Sequence, residues 1–167
     1  MAIPAQTMNP QVLELIGAIV LSTQDAETYL KAILPFTDSK DPSITGAMSH
    51  HEKIKKRTFG DLIERFVDAS RSDSDSFQQH LVRLVDHRNQ IVHHFGEIYG
   101  EQLRSGNSQQ VVDSLRVVLA NVDAFRSALE QAALHLFEAV RDITFVGTPE
   151  YQKFDDLCAL FRRRVTR

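Results

Sequence analysis

Between Ser108 and Phe145 the chain contains neither glycine nor proline. Val111, Leu115, Val118, Val122, Phe125, Leu129, Leu136, Val140 and Ile143 recur there in steps of three and four, with one step of seven. That is the period of a helix, and at 1.5 Å per residue an unbroken helix over this stretch is roughly 55 Å long. A helix of that length with an apolar stripe is stable only if other elements cover the stripe along most of it. The rest of the chain must therefore supply helical partners. No segment shows strand-like alternation bounded by hairpin turns, and there is no internal repeat or low-complexity tract. The expectation is an all-α bundle of about five helices, folded as a single domain over 1–167, which is long enough for one sizeable core.

The other helices are marked by their ends. Asn9-Pro10 offers a capping side chain and a proline suited to the first helical position. It opens a helix to about Leu34, before Pro35, with Leu13, Ile16, Val20, Leu30 and Leu34 on its stripe and Glu27 at the edge. Residues 35–57 carry two prolines, a glycine and several Ser, Thr and Asp; they read as a connection ending in the basic run KIKKR. Thr58 and Asp61 have capping-box spacing and open a short helix with Phe59, Leu62, Ile63, Phe66 and Val67 inward. RSDSDS ends that helix and caps the next, expected over about 75–99. Gly106-Asn107-Ser108 separates it from the long helix at about 108–145. Gly147-Thr148-Pro149 then stops the long helix and starts a last one that buries Tyr151, Phe154, Cys158 and Phe161.

The formal net charge is −3, so a nucleic-acid contact has to come from a local patch. The lone Cys158 forms no internal disulfide, and no Cys/His spacing of the zinc-finger kind is present, which points to a reducing compartment. The run LELIGAIVL is short, is interrupted by Glu14 and lacks a preceding basic region; no stretch has the length of a membrane span. The expectation is a soluble cytoplasmic protein with no membrane contact. No Gly-rich phosphate loop, GxSxG elbow or Cys-His nucleophile pair appears, and no cofactor is expected.

In the helix at 75–99 the apolar residues are Phe77, Leu81, Leu84, Val85, Ile91, Val92 and Phe95, and Arg88 stands where the next apolar residue is due. An arginine on a core stripe loses hydration that only well-placed partners can replace. One reading is structural: the stem covers apolar surface while the guanidinium reaches solvent or a carboxylate such as Glu27.

The neighbours suggest more. Arg88-Asn89 is followed by Ile91-Val92-His93-His94-Phe95, so RNQIVH places a histidine five positions after the arginine. This segment resembles the signature of the HEPN superfamily: Arg, four to six residues, then His, with Asn often following the Arg. His93 gives four intervening residues and His94 gives five; the Val92-His93-x-Phe95 setting favours His93. The order of elements is similar too: a first helix of the LIGAIVLSTQDAETYLKAIL type, the TFGDLIERF segment, the motif helix and a long helix. The likeness of elements covers roughly Val12 to Val140, the motif itself about six residues.

The resemblance implies a metal-independent endoribonuclease of toxin or phage-defence type. Such proteins are usually homodimers in which motif residues of both chains meet in one cleft. RNA would be the substrate, and an antitoxin or other inhibitory protein a further partner. Arg88, Asn89 and His93 would be the catalytic set. A histidine can take the proton from a ribose 2′-OH or return one to the leaving 5′-oxygen, giving 2′,3′-cyclic phosphate and 5′-OH ends. An arginine fork can hold the phosphate, and Asn89 can orient either partner. Lys55, Lys56 and Arg57 would track the RNA backbone into the cleft. The alternative is a non-catalytic HEPN-like dimeric module binding a nucleotide, RNA or a protein. A plain interaction bundle is a third reading, and it expects Arg88 and His93 to lie far apart.

Helix geometry tests these readings. On one continuous helix Arg88 and His93 lie about 140° apart around the axis and roughly 7.5 Å along it. Either the arginine side chain swings round, the helix loosens near Gly96, or a second subunit completes the pair. His80, His87 and His94 form a ladder with steps of roughly 10 Å, too long for paired ligands on one helix. That ladder, the His50-His51-Glu52 cluster and RRRVTR read as solvated faces, and no metal site is expected.

Overall fold

The computed structural model describes residues 9–37, 41, 43–70 and 75–165, and among them it contains seven α-helices and no strand. They are α1 (Pro10–Thr37), α2 (Ile44–Ile54), α3 (Phe59–Ser70), α4 (Asp75–His93), α5 (Phe95–Arg104), α6 (Ser108–Thr144) and α7 (Tyr151–Val165). The bundle is all-α as expected, but with seven helices rather than about five. One extra helix forms inside the expected connection, and the motif helix is broken in two.

The long helix of the sequence pattern is α6, and its main partner is α1. Val12, Ile19, Ala26, Leu30 and Leu34 of α1 and Val111, Leu115, Val122 and Leu129 of α6 are buried in one core. The two helices run parallel. Ser22 bonds Asp123 and Tyr29 bonds Glu130, so the same offset holds seven residues further along each helix. Tyr29 Oη donates to Glu130 Oε1 at 2.9 Å, and Arg126 Nη1 donates to Glu130 Oε2 at 3.2 Å. These bonds satisfy Glu130, which is only 8% exposed, and burial together with Glu130 pushes the Tyr29 hydroxyl up to about 12. Seven-residue repetition is the step at which facing helices repeat their contacts, so this polar pair fixes the register of an otherwise apolar seam.

Pro35 does not end α1. It is buried within the last turn, and the helix continues to Thr37. A proline in a helix removes the N–H that would bond the carbonyl four residues back, here that of Lys31. His51 of α2 replaces it: its Nδ1 lies 3.0 Å from the Lys31 carbonyl oxygen and must be the donor. This is one reason residues 35–57 are more than a connection. The other is Ser43, which caps α2 by accepting from the Gly46 N–H at 3.0 Å, while Ala47 and Ile54 turn into the core.

Thr58 and Asp61 form the expected capping box at the start of α3: Asp61 N–H donates to Thr58 Oγ1 at 3.3 Å and Thr58 N–H to Asp61 Oδ2 at 3.4 Å. The cap expected from RSDSDS falls on 71–74, outside the described residues. Gly106, at φ +82°, makes the turn into α6 in a conformation that side chains with a Cβ disfavour. At the far end α7 folds back on α6. Phe161 packs edge-on against Phe137 and Tyr29, and Cys158 is buried, with burial raising its thiol pKa. Among the described residues no helix is long and apolar enough to cross a membrane.

Candidate functional site

α3 and α4 form an antiparallel pair. Gly60 faces Val85, where an added Cβ would meet Cγ1 at 3.6 Å, and Phe66 faces Phe77 with ring centroids 6.4 Å apart. Extended by one turn, this register puts the start of α3 beside the C-terminal end of α4. That end carries the motif.

α4 stops at His93. His94 has φ −126° and ψ 13°, outside the helical region, and α5 begins at Phe95. The interruption falls two residues before Gly96, so the single helix expected at 75–99 is two helices. Along α5, Phe95, Tyr99 and Leu103 repeat at four-residue spacing and pack against the core, with the Phe95 and Tyr99 rings 5.1 Å apart.

On α4, Leu81, Leu84 and Ile91 are buried and Arg88 lies on their stripe, half-buried. Its head swings sideways to meet two neighbours on the same helix. Arg88 Nη1 is 3.1 Å from Asn89 Oδ1 and 3.3 Å from His93 Nε2. The arginine side chain therefore swings round to the histidine within one chain, and the helix also ends within three residues of Gly96. The remote placement expected of a plain interaction bundle does not occur.

Glu27 is not the partner of Arg88; it pairs with Lys31 at 2.5 Å. Among the described residues Arg88 makes no ion pair, and its Nε and Nη2 donate no hydrogen bond within the protein. A guanidinium only donates, so the nitrogen of His93 that faces it is an acceptor carrying a lone pair. The cluster thus combines an imidazole lone pair, an amide and guanidinium N–H groups free to meet an anion.

Lys55, Lys56 and Arg57 are exposed in the turn before α3. Lys55 pairs with Glu52 and holds that carboxyl below its usual range. No direct contact joins this turn to Arg88, but the α3–α4 register places it at the same end of the helix pair as Asn89 and His93. Along the middle of the pair runs a groove of about 270 Å³ lined by Val67, Val82 and Val85 with Glu64, Asp68 and Asp86. Its three carboxylates make this groove a poor place for an anionic ligand.

The histidine ladder does not act as a set. His94 Nδ1 contacts Glu97 Oε2 at 3.1 Å, while His87 Nδ1 is buried without a hydrogen bond. Among the described residues no three His, Cys, Asp or Glu side chains gather into a group suited to a metal ion. Sequence reasoning missed two residues here. Glu97 stands three residues after His94, the spacing of a capping pair, and His51 was grouped with its neighbours as solvated face.

No family model matches this chain, no curated protein matches it, and no solved structure matches its fold.

Proposed function

We propose that the protein is a metal-independent endoribonuclease of the HEPN type, of toxin or phage-defence role, with Arg88, Asn89 and His93 as its catalytic residues. The observation that carries this reading is the 3.3 Å contact between Arg88 Nη1 and His93 Nε2, made across an interval that helix geometry alone would splay. His93 takes the 2′-OH proton, the freed oxygen attacks phosphorus, and the Arg88 fork stabilises charge on the non-bridging oxygens. The products carry 2′,3′-cyclic phosphate and 5′-OH ends. Lys56 and Arg57 guide the RNA backbone, with Lys55 beside them.

A homodimer belongs to the proposal. Val92 and Ile98, each 42% exposed, flank the His93–His94 corner and offer apolar surface for a second copy. An antitoxin or other inhibitory protein that covered the same corner would block the site.

The test is incubation of the purified protein with RNA in excess EDTA. Cleavage is expected, with cyclic phosphate termini, and with loss of activity in Arg88→Ala and His93→Ala. Intact RNA, or cleavage unchanged in both variants, refutes the reading. Intact RNA together with loss of self-association in Arg88→Ala would select the non-catalytic dimeric module instead.

A further inference from the structure

We infer that His94, oriented by Glu97, is the acid that protonates the departing 5′-oxygen while His93 acts as the base. This rests on the ribonuclease reading above and extends it to a second proton-transfer group.

The inference starts from the break in the helix. His93 is the last residue of α4, and His94 stands outside both helices. The two rings lie 6.4 Å apart at 70° to one another. Each is held by a different kind of partner. On His93, Nε2 faces the Arg88 guanidinium at 3.3 Å, which makes that nitrogen an acceptor. On His94, Nδ1 faces Glu97 Oε2 at 3.1 Å, and an ionised carboxylate only accepts, so this nitrogen carries the hydrogen. Glu97 fixes the ring, and Nε2 of His94 is left as the position at which a proton can be gained or given.

A purely structural role explains this pair poorly. His94 occupies the N-cap position of α5, yet its side chain makes no capping hydrogen bond. Side-chain exposures of 55% and 78% place the pair in solvent, where such contacts contribute little to stability. What the contact does achieve is orientation of one imidazole beside another at the corner where Arg88 presents its free donors.

The transfer balances in atoms and charge. As a phosphodiester enters, the Arg88 fork turns to its non-bridging oxygens and frees the His93 lone pair. The O2′–H bond breaks, with the proton going to His93 Nε2, and the O2′–P bond forms. The P–O5′ bond breaks, and O5′ takes the proton from Nε2 of His94, which enters the step as the imidazolium with its Nδ1–H still on Glu97. Exchange with water then restores both rings.

A good leaving group needs no acid, and that separates the two histidines. Wild type, His94→Ala, His93→Ala and Glu97→Gln are assayed on an RNA oligonucleotide and on uridine 3′-(4-nitrophenyl phosphate), whose nitrophenolate departs unprotonated. His94→Ala is expected to lose about 10²- to 10⁴-fold on RNA and to stay near the wild-type rate on the nitrophenyl ester, whereas His93→Ala falls on both. Glu97→Gln, a positioning residue, is expected to lower kcat on RNA less than His94→Ala does, with KM unchanged. No loss in His94→Ala, or equal loss on both substrates, overturns the role of His94 and leaves the ribonuclease reading standing. A wild-type protein that leaves both substrates intact overturns both.

Discussion

The contact between His51 and the Lys31 carbonyl can be tested through the proline that makes it necessary. Pro35 supplies no N–H to that carbonyl, and the 3.0 Å contact from His51 Nδ1 takes its place while tying α2 to α1. Removing the ring in His51→Ala forfeits one hydrogen bond to a neutral acceptor, worth about 1 kcal/mol. In a chain of this length that corresponds to a fall in Tm of roughly 2–4 °C. In a Pro35→Ala background the backbone N–H of residue 35 can bond the Lys31 carbonyl directly, so the same His51→Ala change should cost much less. The readout is a double-mutant cycle by urea or thermal unfolding followed by helical circular dichroism. Whatever cavity Pro35→Ala leaves in the buried turn cancels within the cycle, and the coupling should approach about 1 kcal/mol. Additive costs, equal within about 0.5 kcal/mol in the two backgrounds, would refute the exchange of donors.

Two further outcomes are expected. The folded state raises the Tyr29 hydroxyl from 10.0 to about 12, so its contribution to stability is complete below pH 10 and is lost as pH rises towards 12. Alkaline unfolding of the wild type over that window should therefore be steeper than that of Tyr29→Phe, and identical pH profiles would count against the Glu130 bond. For the basic turn, RNA affinity measured in a His93→Ala background should lose salt dependence when Lys56 or Arg57 is replaced by alanine. The slope of log K against log salt should shrink by about 0.7 per residue for a single strand, and an unchanged slope would place the RNA elsewhere.

The helices that could be read from the sequence were those whose ends and faces agree. In α6 the apolar period and the absence of glycine and proline point the same way, and Thr58 with Asp61 marks the start of α3 through a capping box that the structure contains. What stayed hidden depended on partners distant in sequence. α2 was concealed because Pro, Gly and Ser signal turns, and only its docking against α1 through His51 shows why that segment is helical. The break at His94 has no glycine or proline at the residue itself, and the apolar spacing from Ile91 through Phe95, Tyr99 and Leu103 runs across it without a change of period that would mark it. At the candidate site, Arg88, Asn89 and His93 could be named by their resemblance to a short family motif. The reach of Arg88 towards His93, instead of towards Glu27, could not be read, because a rotamer is chosen by surroundings that a linear pattern does not contain.

The geometry of Arg88 also changes what a second copy of the chain has to supply. While Arg88 and His93 were expected on opposite sides of one helix, dimerisation was a way to complete the pair. With Nη1 and Nε2 already 3.3 Å apart in one chain, the imidazole lone pair and the guanidinium donors stand together without a second copy. A dimer that joined two such corners would bring two complete sets to one cleft, not two halves. The role of the second copy would then be to exclude water and narrow the approach of RNA, which strengthens every charge interaction inside the cleft. Val92 and Ile98 offer exposed apolar surface for that closure, and in sequence they stand on either side of the histidine pair. An arginine on the core stripe is tolerated because it is only half-buried: its head leaves the stripe to donate to Asn89 Oδ1 and to face His93 Nε2.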